Sequence, residues 1–359
     1  MSKGKKYCLP PALRSVRLPQ LIIANLAASA PFDRHFLTRN VKEIISSSTD
    51  HVKKCSGTEL NTYLSIKNKL SKNNVVLVKA DKGASIIALD RPVYIGKVME
   101  YLNSVDAEVF DDLNFQQYAE TTRKKILTEV TLISSYPTRK SLLMMNPQPP
   151  LLYGQIKNHK PNQPIRPVVA SYTSPVYRLS KFLASWFTTY TKYEFRYTVK
   201  NSKELANELI DLHLPAITDL VSFDVVNMFN VIPVQDTVNI MIEIISRKCK
   251  NKKVIQEFRG LLLHSTKLNF CWFNGHFYKF KTGLPMGGPL SSLIANIYMD
   301  HFENYIIPTV PDNIFLWRRY VDDVFCMWTG SRTQLDSFLE RINAFNKNVQ
   351  FTLEFGDRS

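Results

Sequence analysis

The stretch FLWRRYVDDVFCMW at residues 315–328 sets two adjacent acids, Asp322 and Asp323, between two apolar runs. The apolar and aromatic composition on either side predicts a β-hairpin that turns about residues 321–323. Two carboxylates at the tip of an otherwise buried hairpin repel each other and lose hydration unless a cation offsets their charge. The sequence therefore indicates that these two acids bind a cation.

A third acid has the same apolar surroundings. Asp224 interrupts the short apolar strand predicted at residues 221–225, and a buried structural aspartate adequately explains any one such acid taken alone. Three of them on adjacent strands resemble a cage for a hard cation, because Mg²⁺ prefers carboxylate oxygens and substrate phosphates. Two such ions about 3.5–4 Å apart can activate an attacking 3′-hydroxyl and stabilise a leaving pyrophosphate. The sequence contains no P-loop, Rossmann glycine fingerprint or H-E-x-x-H motif.

The C-terminal part of the chain alternates strand and helix patterns on both sides of this hairpin. The other predicted elements are a strand at 221–225, an amphipathic helix at 235–250 capped by Gln235 and Asp236, a hairpin at 270–280 about Asn274 and Gly275, helices at 289–305 and 332–345, and a strand at 350–354. This order predicts an α+β fold in which helices back one face of an antiparallel sheet.

The N-terminal part is less regular. Residues 1–70 have a basic, helical pattern, and two short strands are predicted within 74–89, around a turn at Asp81-Lys82-Gly83. Residues 94–145 are predicted to be mostly helical. The proline-rich residues 146–150 then form a hinge into the following part.

The net charge of +15 over 359 residues is unevenly distributed. Residues 1–80 hold 14 Lys and Arg against 4 Asp and Glu, and residues 135–200 hold 10 against a single acid, Glu194. Such clusters favour a polyanionic partner, because neutralised phosphates release counterions, although charge that serves only solubility remains an alternative. Aromatic residues interleaved with the second cluster either stack on bases or belong to the core.

Compartment signals are weak. No apolar run approaches the roughly 18 residues needed to span a bilayer, so no membrane partner is expected. A basic N-terminus followed by the apolar residues 21–30 faintly resembles a signal or transit peptide, but Asn25 interrupts the apolar stretch. Five scattered cysteines without C-x-x-C spacing favour a reducing compartment, either nuclear or cytoplasmic.

Three motifs in order resemble those of reverse transcriptases. Residues 320–323 match the Y-x-D-D signature, residues 223–229 resemble the first palm motif, and residues 283–296 resemble the glycine-rich motif between them. The sequence Lys-Ala-Asp-Lys-Gly at 79–83 and the Tyr-Gly to Arg-Pro block at 153–167 resemble the branch found in Penelope-like retroelements, which is similar to telomerase.

This resemblance implies the fingers and palm of a right-hand polymerase fold, with an antiparallel palm sheet backed by helices and a thumb that is largely absent. We expect a basic helical N-terminal extension at 1–73, a fingers region at 74–215 and a catalytic palm at 216–359. The resemblance also leads us to expect a Leu-Pro-Phe-Leu-Asp segment beyond residue 359, which would make the chain a fragment without its thumb and endonuclease.

The resemblance implies roles for particular residues. Asp224 and Asp322 would ligate both metal ions, two Mg²⁺ or alternatively Mn²⁺, with Asp323 assisting and the carbonyl of Val225 completing a site. Phe229 would exclude a ribose 2′-hydroxyl. The remaining implied contacts are with the nucleotide (Lys157, Arg166, Gly283, Met286, Gly287) and, as candidates, with nucleic acid (Lys79, Lys82, His159, Lys160).

The implied function is an RNA-directed DNA polymerase of a retrotransposon, which acts on an RNA template, a DNA primer and dNTPs. An RNA-dependent RNA polymerase shares the palm chemistry, but usually has Gly-Asp-Asp and a smaller residue near the sugar, whereas this chain has Tyr320-Val321 and Phe229. A second alternative is a catalytically inactive, retroelement-derived RNA-binding protein. The three acids argue against it, and the expected truncation favours it.

Overall fold

The computed structural model describes residues 57–83, 85–215, 218–310, 313–346 and 349–355. The chain forms two compact units. Among the described residues, one comprises 57–77 with Ala88–Arg91, and the other comprises Val78–Ile87 with the residues from Pro92 onward. The predictions made for residues 1–56 lie outside the described residues. Within the first unit, residues 57–72 form a helix, as the basic helical pattern predicts.

The helices and strands follow in chain order. The helices are α1 (Gly57–Lys72), α2 (Arg91–Ser104), α3 (Phe115–Glu129), α4 (Tyr136–Ser141), α5 (Tyr177–Thr191), α6 (Ser202–Ile210), α7 (Met228–Val231), α8 (Val234–Lys248), α9 (Lys252–Lys267), α10 (Ser291–Ile306) and α11 (Arg332–Phe345). The strands are β1 (Val75–Lys79), β2 (Ile86–Asp90), β3 (Glu108–Val109), β4 (Leu151–Ile156), β5 (Ile165–Ala170), β6 (Asp219–Val225), β7 (Phe270–Phe273), β8 (His276–Lys279), β9 (Ile314–Tyr320), β10 (Asp323–Trp328) and β11 (Phe351–Phe355).

A four-stranded antiparallel sheet in the order β11-β6-β10-β9 carries the predicted acids. Alternate residues of β6 are buried, with Phe223 fully enclosed against Trp317 of β9 and Phe338 of α11. Buried residues of α8, α9 and α10 belong to the same hydrophobic cluster. One face of the sheet is therefore covered by helices, which confirms the predicted fold class.

A second sheet has five strands in the order β3-β8-β7-β4-β5. The hairpin β7–β8 confirms the Asn274-Gly275 prediction, and both turn residues have positive φ, +46° and +93°. Strand β4 pairs in parallel with β7 through Leu151 and Trp272, and β5 pairs antiparallel with β4. A second hydrophobic cluster forms where Val98 and Leu102 of α2 pack on this sheet.

Two local predictions were wrong. Helix α8 begins at Val234, directly after Pro233, so Gln235 and Asp236 lie inside its first turn and no side chain caps it. A proline fixes its own φ and disfavours helix at the residue before it, which defines this boundary without a cap. Asp323 is the first residue of β10 and lies outside the turn, because it pairs with Tyr320 across the hairpin.

No helix in the described parts of the chain is long and apolar enough to cross a membrane. Three cysteines that the structure describes, Cys249, Cys271 and Cys326, are buried free thiols.

Candidate active site

The three predicted acids meet at one end of the four-stranded sheet. Strands β6 and β10 are antiparallel neighbours, and their register places Asp323 directly opposite Asp224. Asp322 occupies the two-residue turn between β9 and β10, and its carbonyl accepts a hydrogen bond from the Val225 amide at 3.1 Å. The same backbone contact that closes the sheet therefore also fixes the position of Asp322.

The turn that carries Asp322 has an uncommon conformation. Its first residue, Val321, has φ +58°, and positive φ at this position alone is the pattern of a type II′ turn, where glycine is preferred. A β-branched side chain in this region costs about 1–3 kcal/mol, which the surrounding structure must offset.

A buried ion pair behind the turn provides that support. Arg319 and Glu303 are fully buried, with 2.7 Å between Nε and Oε1. Through Nη1 the same guanidinium donates to the Val321 carbonyl at 3.0 Å and to Asn296 Oδ1 at 2.9 Å. Trp317 donates its Nε1–H to the Glu303 carboxylate at 3.0 Å. The ion pair thus connects helix α10 with the backbone of the acidic turn.

The charges of the three carboxylates act on one another. Burial, followed by the charges of Asp322 and Asp323, raises the pKa of Asp224. Burial and then the charge of Asp322 raise the pKa of Asp323 in the same way. Asp224 and Asp323 are therefore costly to ionise without a neighbouring cation.

The donor set fits a hard divalent cation. Among the described residues no group of three or more His, Cys, Asp or Glu side chains is arranged so that it could hold a metal ion by itself. Mg²⁺ does not require one, because it is usually held by one or two carboxylates, with waters and substrate phosphates as the other ligands. Repelling carboxylates at one end of a sheet suit that kind of open site.

Cationic side chains on the β4–β5 hairpin and its loop face these acids. Burial, and then the charges of Arg166 and Lys160, lower the pKa of Lys157, while the charge of Asp224 opposes that shift. Lys160 in turn lowers the pKa of Asp224. Arg166 has the same effect on Asp323. The hairpin therefore presents three cations to the carboxylates, as is expected of a site for a polyanionic substrate.

Phe229 follows β6 on the short helix α7. The chain reverses at Asn227, whose φ is +49°, and the Phe229 ring is only partly buried against the main hydrophobic cluster. Its carbonyl accepts a hydrogen bond from the Leu284 amide at 2.6 Å. Helix α7, which follows β6, is therefore joined directly to the glycine-rich segment at Phe229.

The two glycines of that segment are required by the chain itself. Gly283 has φ +72°, and a Cβ there would collide with the Asn230 backbone. Gly287 has φ +106°, and a Cβ there would lie 2.8 Å from the Val169 carbonyl oxygen. We predicted these glycines for close approach to a nucleotide. The structure shows close approach to backbone, and Met286 accepts a hydrogen bond from the Val169 amide at 2.9 Å.

Other predicted contacts are less closely tied to the acids. Lys79 and His159 are exposed, and no interaction with the carboxylates is seen for either among the described residues. The charge of Lys82 lowers the pKa of Asp323. Sequence reasoning missed Arg319 and Glu303. A charged residue within the apolar run 315–328 and an acid on an otherwise apolar helix face were the available signals.

Comparison with known proteins gives a family and a fold. Residues 159–355 match the family described as reverse transcriptase (RNA-dependent DNA polymerase). No curated protein matches the chain.

Two solved telomerase structures are similar to the chain, both in complex with a TWJ fragment of telomeric RNA. The Candida albicans structure has a TM-score of 0.52 and 11% identity, and covers 82% of this chain and 52% of its own. The Candida tropicalis structure has a TM-score of 0.54 and 9% identity, and covers 83% and 50%. The chain thus spans about half the length of these telomerases, and the likeness concerns the fold alone.

Proposed function

The chain belongs to the reverse transcriptase (RNA-dependent DNA polymerase) family, and from that membership we propose that it copies an RNA template into DNA by adding deoxynucleotides to a primer 3′-hydroxyl. The observation that carries the proposal is the register of the sheet, which sets Asp323 opposite Asp224 beside the turn of Asp322. Three mutually repelling carboxylates facing three cations suit a substrate that arrives with metal ions and a triphosphate.

In this mechanism Asp224, Asp322 and the Val225 carbonyl would hold two Mg²⁺ ions, or Mn²⁺, with Asp323 assisting. When bound, these ions supply Lewis acidity for the attacking hydroxyl and charge neutralisation for the departing pyrophosphate. Lys157 and Arg166 would grip the triphosphate, since a guanidinium can bond phosphate oxygens bidentately. Gly283, Met286 and Gly287 would shape the nucleotide site, and Lys79, His159 and Lys160 would contact nucleic acid.

The direct test is primer extension by the full chain with Mg²⁺ and dNTPs, on matched RNA and DNA templates. We expect extension on the RNA template. A folded chain that binds primer–template and adds no nucleotide under any divalent metal would instead be an RNA-binding protein without catalysis.

We further propose that the chain comes from a Penelope-like retrotransposon. The Lys-Ala-Asp-Lys-Gly segment at 79–83 and the block at 153–167 support this origin. The proposed functional regions are a basic extension at 1–73, fingers at 74–215 and a palm at 216–359.

We propose that Phe229 selects the sugar, because it lies five residues after Asp224 in the stretch that resembles the first palm motif. If the ring packs under the incoming sugar, a 2′-oxygen overlaps it, and overpacking of this kind costs about 1–3 kcal/mol. That cost corresponds to roughly a 5- to 150-fold preference for deoxynucleotides. We expect Phe229→Ala to raise ribonucleotide incorporation much more than it lowers deoxynucleotide incorporation, as measured by single-nucleotide extension.

Phe229→Tyr is the matched control, because it keeps the ring plane and should keep discrimination. Equal loss of both activities in the alanine variant, or unfolding of that variant, would show that Phe229 serves only the hydrophobic cluster. An RNA polymerase would show no deoxynucleotide preference in the wild type.

The uneven charge predicts a steep salt dependence of nucleic-acid binding. Each neutralised phosphate contributes about −0.9 to the slope of log affinity against log salt on a duplex, so several contacts give a slope of several units. Fluorescence anisotropy with a labelled RNA–DNA hybrid between low and moderate salt measures it. A flat response would mean that the basic clusters serve solubility.

A further inference from the structure

The turn between β1 and β2 is attached to the β4–β5 hairpin. The Asp81 amide donates to the Ile156 carbonyl at 2.8 Å, and Ala80 forms an isolated parallel bridge with Ile156. The turn itself is closed by a hydrogen bond from the Ala80 amide to the Ser85 carbonyl at 3.0 Å. Since Ile156 directly precedes Lys157, the backbone fixes this turn beside the cationic hairpin.

The Asp81 carboxylate is buried against one of the cations of that hairpin. Its side chain is 6% exposed, and its Oδ1 lies 2.7 Å from Nε of Arg166, which is 49% exposed. The other oxygen, Oδ2, is buried and has no hydrogen-bond partner among the described residues. Burial has removed the hydration of this carboxylate, and a single ion pair compensates for that desolvation cost only in part.

The geometry of the Asp81–Arg166 ion pair leaves the two Nη groups of the guanidinium available. Asp81 meets the Nε edge of Arg166, and no Nη hydrogen bond of Arg166 is present within the described part of the chain. The two Nη groups are the pair of parallel donors that suit a phosphate. A long, half-exposed arginine without this restraint would lose its rotamer freedom on each binding event.

We propose that Asp81 is a positioning residue that orients the guanidinium of Arg166 toward a bound triphosphate, and that its neighbour Lys82 is a further phosphate ligand. The proposal rests on the proposed function, because it assigns the turn at 79–83 to the same nucleotide site. It gives the Lys-Ala-Asp-Lys-Gly segment two physical roles, because Asp81 orients Arg166 and Lys82 adds one cation.

The backbone supports the place of Lys82. The turn that carries it is fixed to Ile156, directly before Lys157. Lys82 immediately follows Asp81, whose carboxylate is paired with Arg166 at 2.7 Å. The two cations therefore come from adjoining elements.

The test is whether loss of the Asp81 carboxylate tightens or weakens polyphosphate binding. The probe is inorganic tripolyphosphate, titrated calorimetrically into the full chain without divalent metal. Simple Coulomb attraction predicts that removing the negative charge of Asp81 beside a cationic cluster tightens polyphosphate binding. A positioning role predicts the opposite. We expect Asp81→Ala to weaken binding about ten-fold, the size of a lost charge-assisted hydrogen bond, and Asp81→Asn, which keeps the shape and one acceptor, to lie between.

A double-mutant cycle distinguishes positioning from a structural role. In an Arg166→Lys background there is no guanidinium to orient, so Asp81→Ala should change the affinity less than about two-fold. A merely structural role would keep its full effect in both backgrounds. Tighter tripolyphosphate binding in Asp81→Ala, or an undiminished effect beside Arg166→Lys, would overturn the proposal. The exposed Asp112→Ala is the matched control for loss of an acid.

Lys82→Ala should weaken tripolyphosphate binding more than Lys79→Ala does. Lys79→Ala removes the same charge three residues earlier, at an exposed position of β1. Equal effects would remove Lys82 from the proposal. Primer extension then separates the two proposals, because Asp81→Ala should raise KM for dNTP more than it lowers kcat. If the wild type extends no primer, the polymerase proposal fails, while the tripolyphosphate result still decides the role of Asp81.

Discussion

Asp322→Asn should abolish primer extension while making the folded chain more stable. In the proposed mechanism the Asp322 carboxylate would be a metal ligand that a neutral amide replaces poorly, and metal assistance would supply several kcal/mol of transition-state stabilisation. A loss of about 4 kcal/mol corresponds to roughly a 10³-fold slower reaction. The measurement is single-nucleotide extension on an RNA template with Mg²⁺, and Asp224→Ala should give a loss of the same order.

The stability change follows from the repulsion within the site. Burial and the charge of Asp322 raise the pKa of Asp224 and of Asp323 above that of an ordinary carboxyl. A carboxyl whose pKa is raised by folding favours the folded state at low pH and disfavours it at neutral pH, because its ionised form is the costly one. Neutralising Asp322 therefore stabilises the chain at pH 7. The gain shrinks as the pH falls through the raised pKa values and is lost below about 3.9, the ordinary pKa of an aspartate, where the carboxyls are protonated in both states.

This combination excludes unfolding as the cause of lost activity. Urea denaturation at pH 7 and pH 4 measures the stability, and the exposed Asp112→Asn should change neither property. An Asp322→Asn chain that is folded and extends primers at the wild-type rate would contradict the assignment of Asp322 as a metal ligand.

Glu303→Ala should be the most destabilising single change at the site. It leaves the fully buried Arg319 without a counter-ion and removes the acceptor of Trp317 Nε1–H. Breaking a buried ion pair by removing one partner typically costs about 3–5 kcal/mol, because an uncompensated charge stays buried. The free energy of unfolding from urea titration is the measurement, and a loss below about 1 kcal/mol would contradict this account.

The double variant Glu303→Leu with Arg319→Met separates stability from positioning. Replacing both partners by apolar residues of similar volume is often neutral or stabilising, so the double variant should recover most of the lost free energy. It does not restore the donor to the Val321 carbonyl, which Arg319 Nη1 reaches at 3.0 Å. We therefore expect extension by the double variant to remain slow, and normal extension would show that the turn needs no support from Arg319.

Local patterns in the sequence predicted the elements that depend on local physics. Asn274-Gly275 predicted the β7–β8 hairpin because these residue types tolerate the positive φ that both positions adopt. Asp322 and Asp323 were recognisable because charge at the tip of an apolar hairpin needs an explanation. The helix at 332–345 was predicted with its observed bounds, and the Ser331 capping box marks its start.

Elements that depend on tertiary pairing were not predicted. Strands β4 and β5 contain Gly154 and Pro167, residues that weaken a strand pattern, and they are fixed by pairing with each other and with β7. The ion pair of Asp81 with Arg166 joins two turns far apart in sequence, and no local periodicity indicates it. The motif at 79–83 was found by resemblance, but the residues that it contacts could be identified only from the structure.

The order of strands in the four-stranded sheet has a consequence for folding during synthesis. Strand β6, which carries Asp224, is a central strand whose two neighbours are β10 and β11. Val225 pairs with Phe351, so one edge of β6 stays unpaired while the ribosome translates from Trp328 to the last strand. That stretch takes about 1–5 s at 5–20 residues per second. During this interval an apolar strand presents open hydrogen-bonding groups, the condition under which strands pair wrongly and nascent chains need chaperones. We therefore expect the sheet that carries the acidic site to be completed late in synthesis.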